Sequence, residues 1–110
     1  MATGVKWIKI ATDIFEDDKM MLIAGMEDGA LLELVWLKLL TLAGKNSNGG
    51  VMKMTPTTPY TPKMLSTIFR MDESILNRAL EVFTEFGMIH LCDGAIVITN
   101  WNTHQSIDAI

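Results

Sequence analysis

The sequence contains a single cysteine, Cys92, in 110 residues. That excludes an internal disulfide framework and fits a reducing cytoplasm. His90 and Cys92 stand two apart on one strand face, but only His104 and scattered carboxylates remain to complete a ligand set, so no metal is expected. Cations are also scarce, 9 Lys+Arg against 13 Asp+Glu for a net charge of −4. Domains that coat a phosphate backbone are usually basic, and this one is not. Long hydrophobic runs are missing too. The longest nearly uncharged stretch, Gly29–Gly44, carries Glu33 and Lys38 and is too short for a bilayer. The N-terminus shows no basic lead followed by an apolar run and a small-residue cleavage site, so no secretory signal is visible.

Catalytic signatures are equally absent. Gly49-Gly50 precedes a strand and is followed by no lysine-serine or lysine-threonine pair, so it is not a phosphate loop. Cys92 lies beside Asp93 with no basic neighbour to activate it. Asp17-Asp18 sit where a helix start wants acid. Neither an enzyme nor a cofactor is expected.

What is present is apolar and patterned. Hydrophobic residues make up 49% and charged residues 20%, which excludes disorder and suits one domain with a real core. Nine methionines point to adaptable core packing. Residues 5–14 alternate imperfectly and predict an extended N-terminal strand. Acid at Glu16-Asp17-Asp18 opens a short helical stretch to Met26. Asp28 is expected to N-cap a helix over Gly29–Ala43 that stops at Gly44. That helix is apolar over most of its circumference, including Leu34 and Leu37, so it must be covered from two directions, by the N-terminal strand or by a second subunit.

Val51–Met54 predicts a short strand, and Thr55–Tyr60, with Pro56 and Pro59, an extended loop. Thr61-Pro62 is an N-cap and first helical residue for Pro62–Arg70, with Met64, Leu65, Ile68 and Phe69 inward. After a break at Met71, Asp72 caps Glu73–Phe86 and Gly87 ends it. Asp93-Gly94 between two β-rich runs predicts a hairpin. Two consecutive helices followed by a hairpin make a helix-turn-helix with a wing. The expected fold is therefore α+β, a winged helix with residues 1–27 as an N-terminal extension, 28–101 as the core and 102–110 as a tail.

Several segments together resemble a known family. They are Trp7-Ile8-Lys9-Ile10-Ala11-Thr12-Asp13-Ile14-Phe15-Glu16-Asp17, the central Val35-Trp36-Leu37-Lys38-Leu39-Leu40-Thr41-Leu42-Ala43-Gly44-Lys45, Pro59-Tyr60-Thr61, Phe86-Gly87-Met88-Ile89, and Asn100-Trp101 with His104-Gln105. The combination resembles the N-terminal domain of phage replisome organisers, relatives of the DnaD-like primosomal proteins of Gram-positive bacteria. The resemblance implies a winged-helix domain of a replication initiator, acting in the cytoplasm of a bacterial host, that self-associates and takes part in binding double-stranded origin DNA. It also implies a separate C-terminal region with further DNA and helicase-loader contacts. On that reading the sequence, ending at Ile110, is an excised N-terminal domain or a naturally short relative.

A helix-turn-helix offers the start of its second helix to base edges and nearby cations to phosphates. Here Ser74, Asn77 and Arg78 are the candidate readers, and Lys53, Lys63 and Arg70 the candidate phosphate contacts. Charge opposes this. From Asp72 to Phe86 the acids Asp72, Glu73, Glu81 and Glu85 face one base, Arg78, and the hairpin tip carries only Asp93. Two readings follow: weak DNA binding per copy strengthened by assembly, or an oligomerisation scaffold joined through Trp7, Ile8, Ile10, Leu34 and Leu37. A winged-helix transcription regulator is a further alternative.

Overall fold

The computed structural model describes residues 6–105 and shows an α+β fold. A 3₁₀ turn at Ile14–Glu16 leads into α1 (Asp18–Ala24) and the long α2 (Gly29–Asn46). β1 (Val51–Thr55) and β2 (Thr58–Pro59) precede α3 (Pro62–Phe69) and α4 (Glu73–Glu85). β3 (Ile89–Cys92), β4 (Ala95–Ile98) and the single turn of α5 (Trp101–His104) complete the order. The strands form one antiparallel sheet in the order β2-β1-β4-β3.

α2 is the centre of the core. Leu32, Val35, Leu39, Leu40 and Ala43 are buried along it, and Met52, Leu65, Leu76 and Phe83 close on them from β1, α3 and α4. Trp36 meets Phe83 edge to face, with centroids 5.1 Å apart. Among the described residues no polar or charged side chain is buried. The fold is therefore held by apolar burial without a desolvated polar network to satisfy.

Local chemistry sets the helix ends. Asp17 accepts from the N–H groups of Lys19 and Met20 at the start of α1. Thr61 accepts from Met64 N–H at 3.2 Å, with Pro62 at the first helical position of α3. Thr61→Ala should cost about 1 kcal/mol, read as a lower denaturant midpoint at unchanged m-value. At the end of α3, Arg70 takes a left-handed conformation (φ 56°), while Met71 N–H reaches Ser66 O and Arg70 N–H reaches Thr67 O. α4 ends the same way at Gly87 (φ 72°), with Met88 N–H on Phe83 O. These paired bonds satisfy the last carbonyls of each helix and turn the chain sharply.

Five expectations need correction. Residues 7–11 join no strand, so Trp7, Ile8 and Ile10 do not belong to an N-terminal strand. The segment is an arm whose Ile8 and Ile14 pack on the core, and its Lys9 backbone is bonded by a side chain instead of a strand. Lys9 N–H donates to Gln105 Oε1 (2.7 Å), and Gln105 Nε2 donates back to Lys9 O (2.9 Å). Val5, included in that expected strand, lies outside the described residues. Second, the Thr55–Tyr60 segment is not simply a loop, because β2 pairs with β1 through it. Pro59 is tolerated there because β2 is an edge strand, where a missing donor can face outward.

Third, α2 does not stop at Gly44, which is buried within it. The helix continues until Ser47 (φ 54°), whose N–H bonds Ala43 O. Asn46 thereby reaches β1 and accepts from Lys53 N–H at 3.2 Å. Fourth, Asp28 precedes α2 in a left-handed conformation, and its side chain caps nothing. Likewise Asp72 makes no side-chain cap on α4. Fifth, Ile68 points outward at 47% exposure, because the inward positions of the short α3 are taken by Leu65 and Phe69. No helix of the described residues is long and apolar enough to cross a membrane.

Candidate nucleic-acid interface

α4 is amphipathic, and its two sides have opposite fates. Leu76, Ala79 and Phe83 are buried against α2 and α3, which obliges the ridge Ser74, Asn77, Glu81, Thr84 and Glu85 to face out. The turn Gly87–Met88 then brings the hairpin back beside the helix. An open groove results, with the α4 ridge on one side and Ile89, Leu91, Gly94 and Ile96 of the hairpin on the other. Thr61 and Pro62, at the start of α3, also line it.

The hairpin is built as its sequence requires. Asp93 (φ 51°) and Gly94 (φ 81°) both take positive φ, the geometry of a two-residue turn that matches strand twist. Cys92 faces Ala95, Leu91 faces Ile96 and His90 faces Val97. His90 Nδ1 lies 3.0 Å from Thr99 Oγ1. Among the described residues no cluster of three or more His, Cys, Asp or Glu is arranged to hold a metal ion.

The groove gathers three of the six nucleic-acid candidates. Ser74 and Asn77 are exposed there, and Arg78 sits half-buried among them. Arg78 is engaged: its Nη1 lies 3.6 Å from Asp28 Oδ2, in a pair open to solvent. The other three stand outside the groove lining. Lys63 is exposed in the first turn of α3, and Arg70 is fixed by its left-handed backbone at the α3–α4 turn. Lys53 is half-buried on β1, with its backbone tied to Asn46.

Sequence reasoning overlooked two features. The Asp28–Arg78 pair joins residues far apart in the chain, and no local pattern announces it. The apolar wall of the groove had a signal in the alternation of Ile89 and Leu91, which places both on one face of β3. Leu91 is 68% exposed.

The residues expected at a subunit contact are divided. Trp7 (79%), Ile10 (45%) and Leu34 (41%) are exposed, whereas Ile8 and Leu37 are half-buried against the chain's own core. A second cavity, of about 420 Å³, lies under the arm, between Ile10 and Ile14 on one side and Trp36, Leu40, Met88 and Trp101 on the other.

Comparison with curated proteins and with solved structures finds no match. Comparison with protein families finds one: the family described as the N-terminal phage replisome organiser matches residues 7–110, which spans the arm, α2, the α3–α4 pair and the hairpin. By that match the chain belongs to the N-terminal phage replisome organiser family.

Proposed function

We propose that the chain is a non-enzymatic winged-helix domain that engages double-stranded DNA at a phage replication origin. Binding would be weak for one copy and strengthened by self-assembly, so that a host helicase or its loader can be recruited. The family places the chain in phage replication. The observation that carries the DNA reading is the uncovered first half of the α4 ridge. Ser74 and Asn77 are exposed in a groove beside a hairpin, with Arg78 next to them and Lys63 and Arg70 on the preceding helix and turn. Base edges suit this set: asparagine matches adenine and arginine matches guanine, each bidentate pair worth about 1–3 kcal/mol of discrimination.

Arg78 must leave Asp28 to read a base. The pair is long and solvent-exposed, and such pairs contribute about 0–1 kcal/mol, so the cost of release is small. Assembly has surface available in Trp7, Ile10 and Leu34.

The test is fluorescence anisotropy on origin and random duplexes across a salt series. Three or four phosphate contacts give a log–log slope of about −3. Arg78→Ala should lower affinity for the origin more than for random duplex. Asp28→Asn, which keeps a residue tolerant of the left-handed backbone, should raise affinity up to about fivefold by freeing Arg78. A slope near zero at every protein concentration removes DNA from the function.

A further inference from the structure

The groove changes character along its length, and its second half is poorly suited to phosphate. Glu81 and Glu85 line it, both exposed, and neither is in an ion pair with a described residue. The one cation in the lining, Arg78, is already paired with Asp28. Opposite these acids stand the apolar residues Ile89, Leu91 and Ile96.

The backbone adds a directional element. β3 is the last strand of the sheet, with β4 on one side and no strand of the described residues on the other. The two-residue turn makes Cys92–Ala95 and His90–Val97 the hydrogen-bonded pairs of the hairpin. Thr99 N–H on Met88 O (3.0 Å) continues the series. The N–H and C=O groups of Ile89 and Leu91 therefore point away from β4; Ile89 is buried, and Leu91, 68% exposed, presents the open part of the edge. β3 has no proline, no bulge and no charged residue, the devices that usually blunt an edge strand.

We propose that this groove docks an extended, lysine- or arginine-rich peptide segment of a partner protein, added as a fifth strand along β3. Its backbone would bond the exposed Leu91 at the open end of β3, and its basic side chains would face Glu81 and Glu85. Charge complementarity selects the occupant, because the two carboxylates repel an acidic strand and add nothing to the docking of a neutral one. A duplex meets those carboxylates as repulsion. The proposal is independent of origin recognition, which uses the first half of the ridge.

The probe is a fluorescein-labelled nonapeptide alternating lysine with valine, titrated with the full chain in the absence of DNA. Saturable binding is expected, with at least tenfold weaker binding of the same peptide carrying glutamate for lysine. Glu81→Gln with Glu85→Gln should weaken the lysine peptide about three- to tenfold, the scale of two exposed charge contacts. Leu91→Pro removes an outward N–H together with a side chain of the groove wall, leaves the hairpin bonds intact, and should abolish binding. Where that variant fails to fold, two peptides, one N-methylated at its valine nitrogens and one at its lysine nitrogens, make the backbone test on the unaltered protein, and the one whose methyl groups face β3 should not bind. Equal affinity for the lysine and glutamate peptides overturns the proposal, as does undiminished binding of both N-methylated peptides. It also fails if the double glutamine variant leaves peptide binding unchanged and strengthens duplex binding, since the groove is then a nucleic-acid surface.

Discussion

Gly29→Ala is expected to destabilise the domain by about 2 kcal/mol or more, although helix propensity alone argues for a gain. Gly29 is the first residue of α2, where alanine is favoured over glycine by up to about 1 kcal/mol. Sterics oppose this with greater force. A methyl group at Gly29 would lie 2.5 Å from the carbonyl oxygens of both Ile23 and Ala24. These are backbone atoms at the end of α1, and no rotamer change relieves the overlap. The connection between α1 and α2 must shift, while Met26 N–H on Ile23 O and Gly29 N–H on Met26 O hold it tightly. Overpacking of this kind costs about 1–3 kcal/mol, with more where backbone has to move. The shift would also carry Asp28 away from Arg78, which links the junction to the groove. A denaturant midpoint that rises in Gly29→Ala would show that the junction yields and that propensity decides.

Elements governed by side-chain periodicity or a local cap were legible in the sequence; those governed by distant partners were not. α4 is the clearest case, since its apolar arc Leu76, Ala79 and Phe83 is the face that is buried, and the polar ridge is the face left open. The Asp93-Gly94 turn and the Thr61-Pro62 start of α3 depend on residues within three positions, and both form as expected. The N-terminal arm was misread because weak alternation indicates an extended chain without naming a partner. The sheet edge beside β1 is taken by β2, and the Lys9 backbone finds a glutamine side chain at the other end of the described chain. Gly44 was misread because a glycine that ends a helix and one buried within it look alike in sequence. Asp28 has the residue type of an N-cap, but its carboxylate lies beside Arg78 instead. For the groove, the α4 ridge could be named residue by residue. Its opposite wall could not, because only the return of the hairpin beside α4 makes Leu91 its neighbour.

Phe83→Ala should have the largest effect on stability, a loss of about 3–5 kcal/mol. Small domains have about 5–15 kcal/mol in total, so this change alone brings the chain near its unfolding threshold. Phe83 is fully enclosed, and its ring meets Trp36 at an interplanar angle of 62°. Truncation removes the aromatic contact and leaves a cavity between α2 and α4, the two longest helices. The carbonyl of the same residue accepts Met88 N–H at 2.8 Å in the turn that leads to β3, so loosening there reaches the hairpin wall of the groove. Phe83→Leu, which keeps most of the apolar volume, should lose clearly less. Urea unfolding followed by tryptophan fluorescence measures both: the midpoint should fall at unchanged m-value, and the native spectrum should change as Trp36 loses its partner. A loss under about 1 kcal/mol for the alanine variant would mean that the α2–α4 contact collapses to fill the space. The position of α4 would then be set from the α3 side, by Leu65 and Phe69, and the groove would survive changes in the central helix.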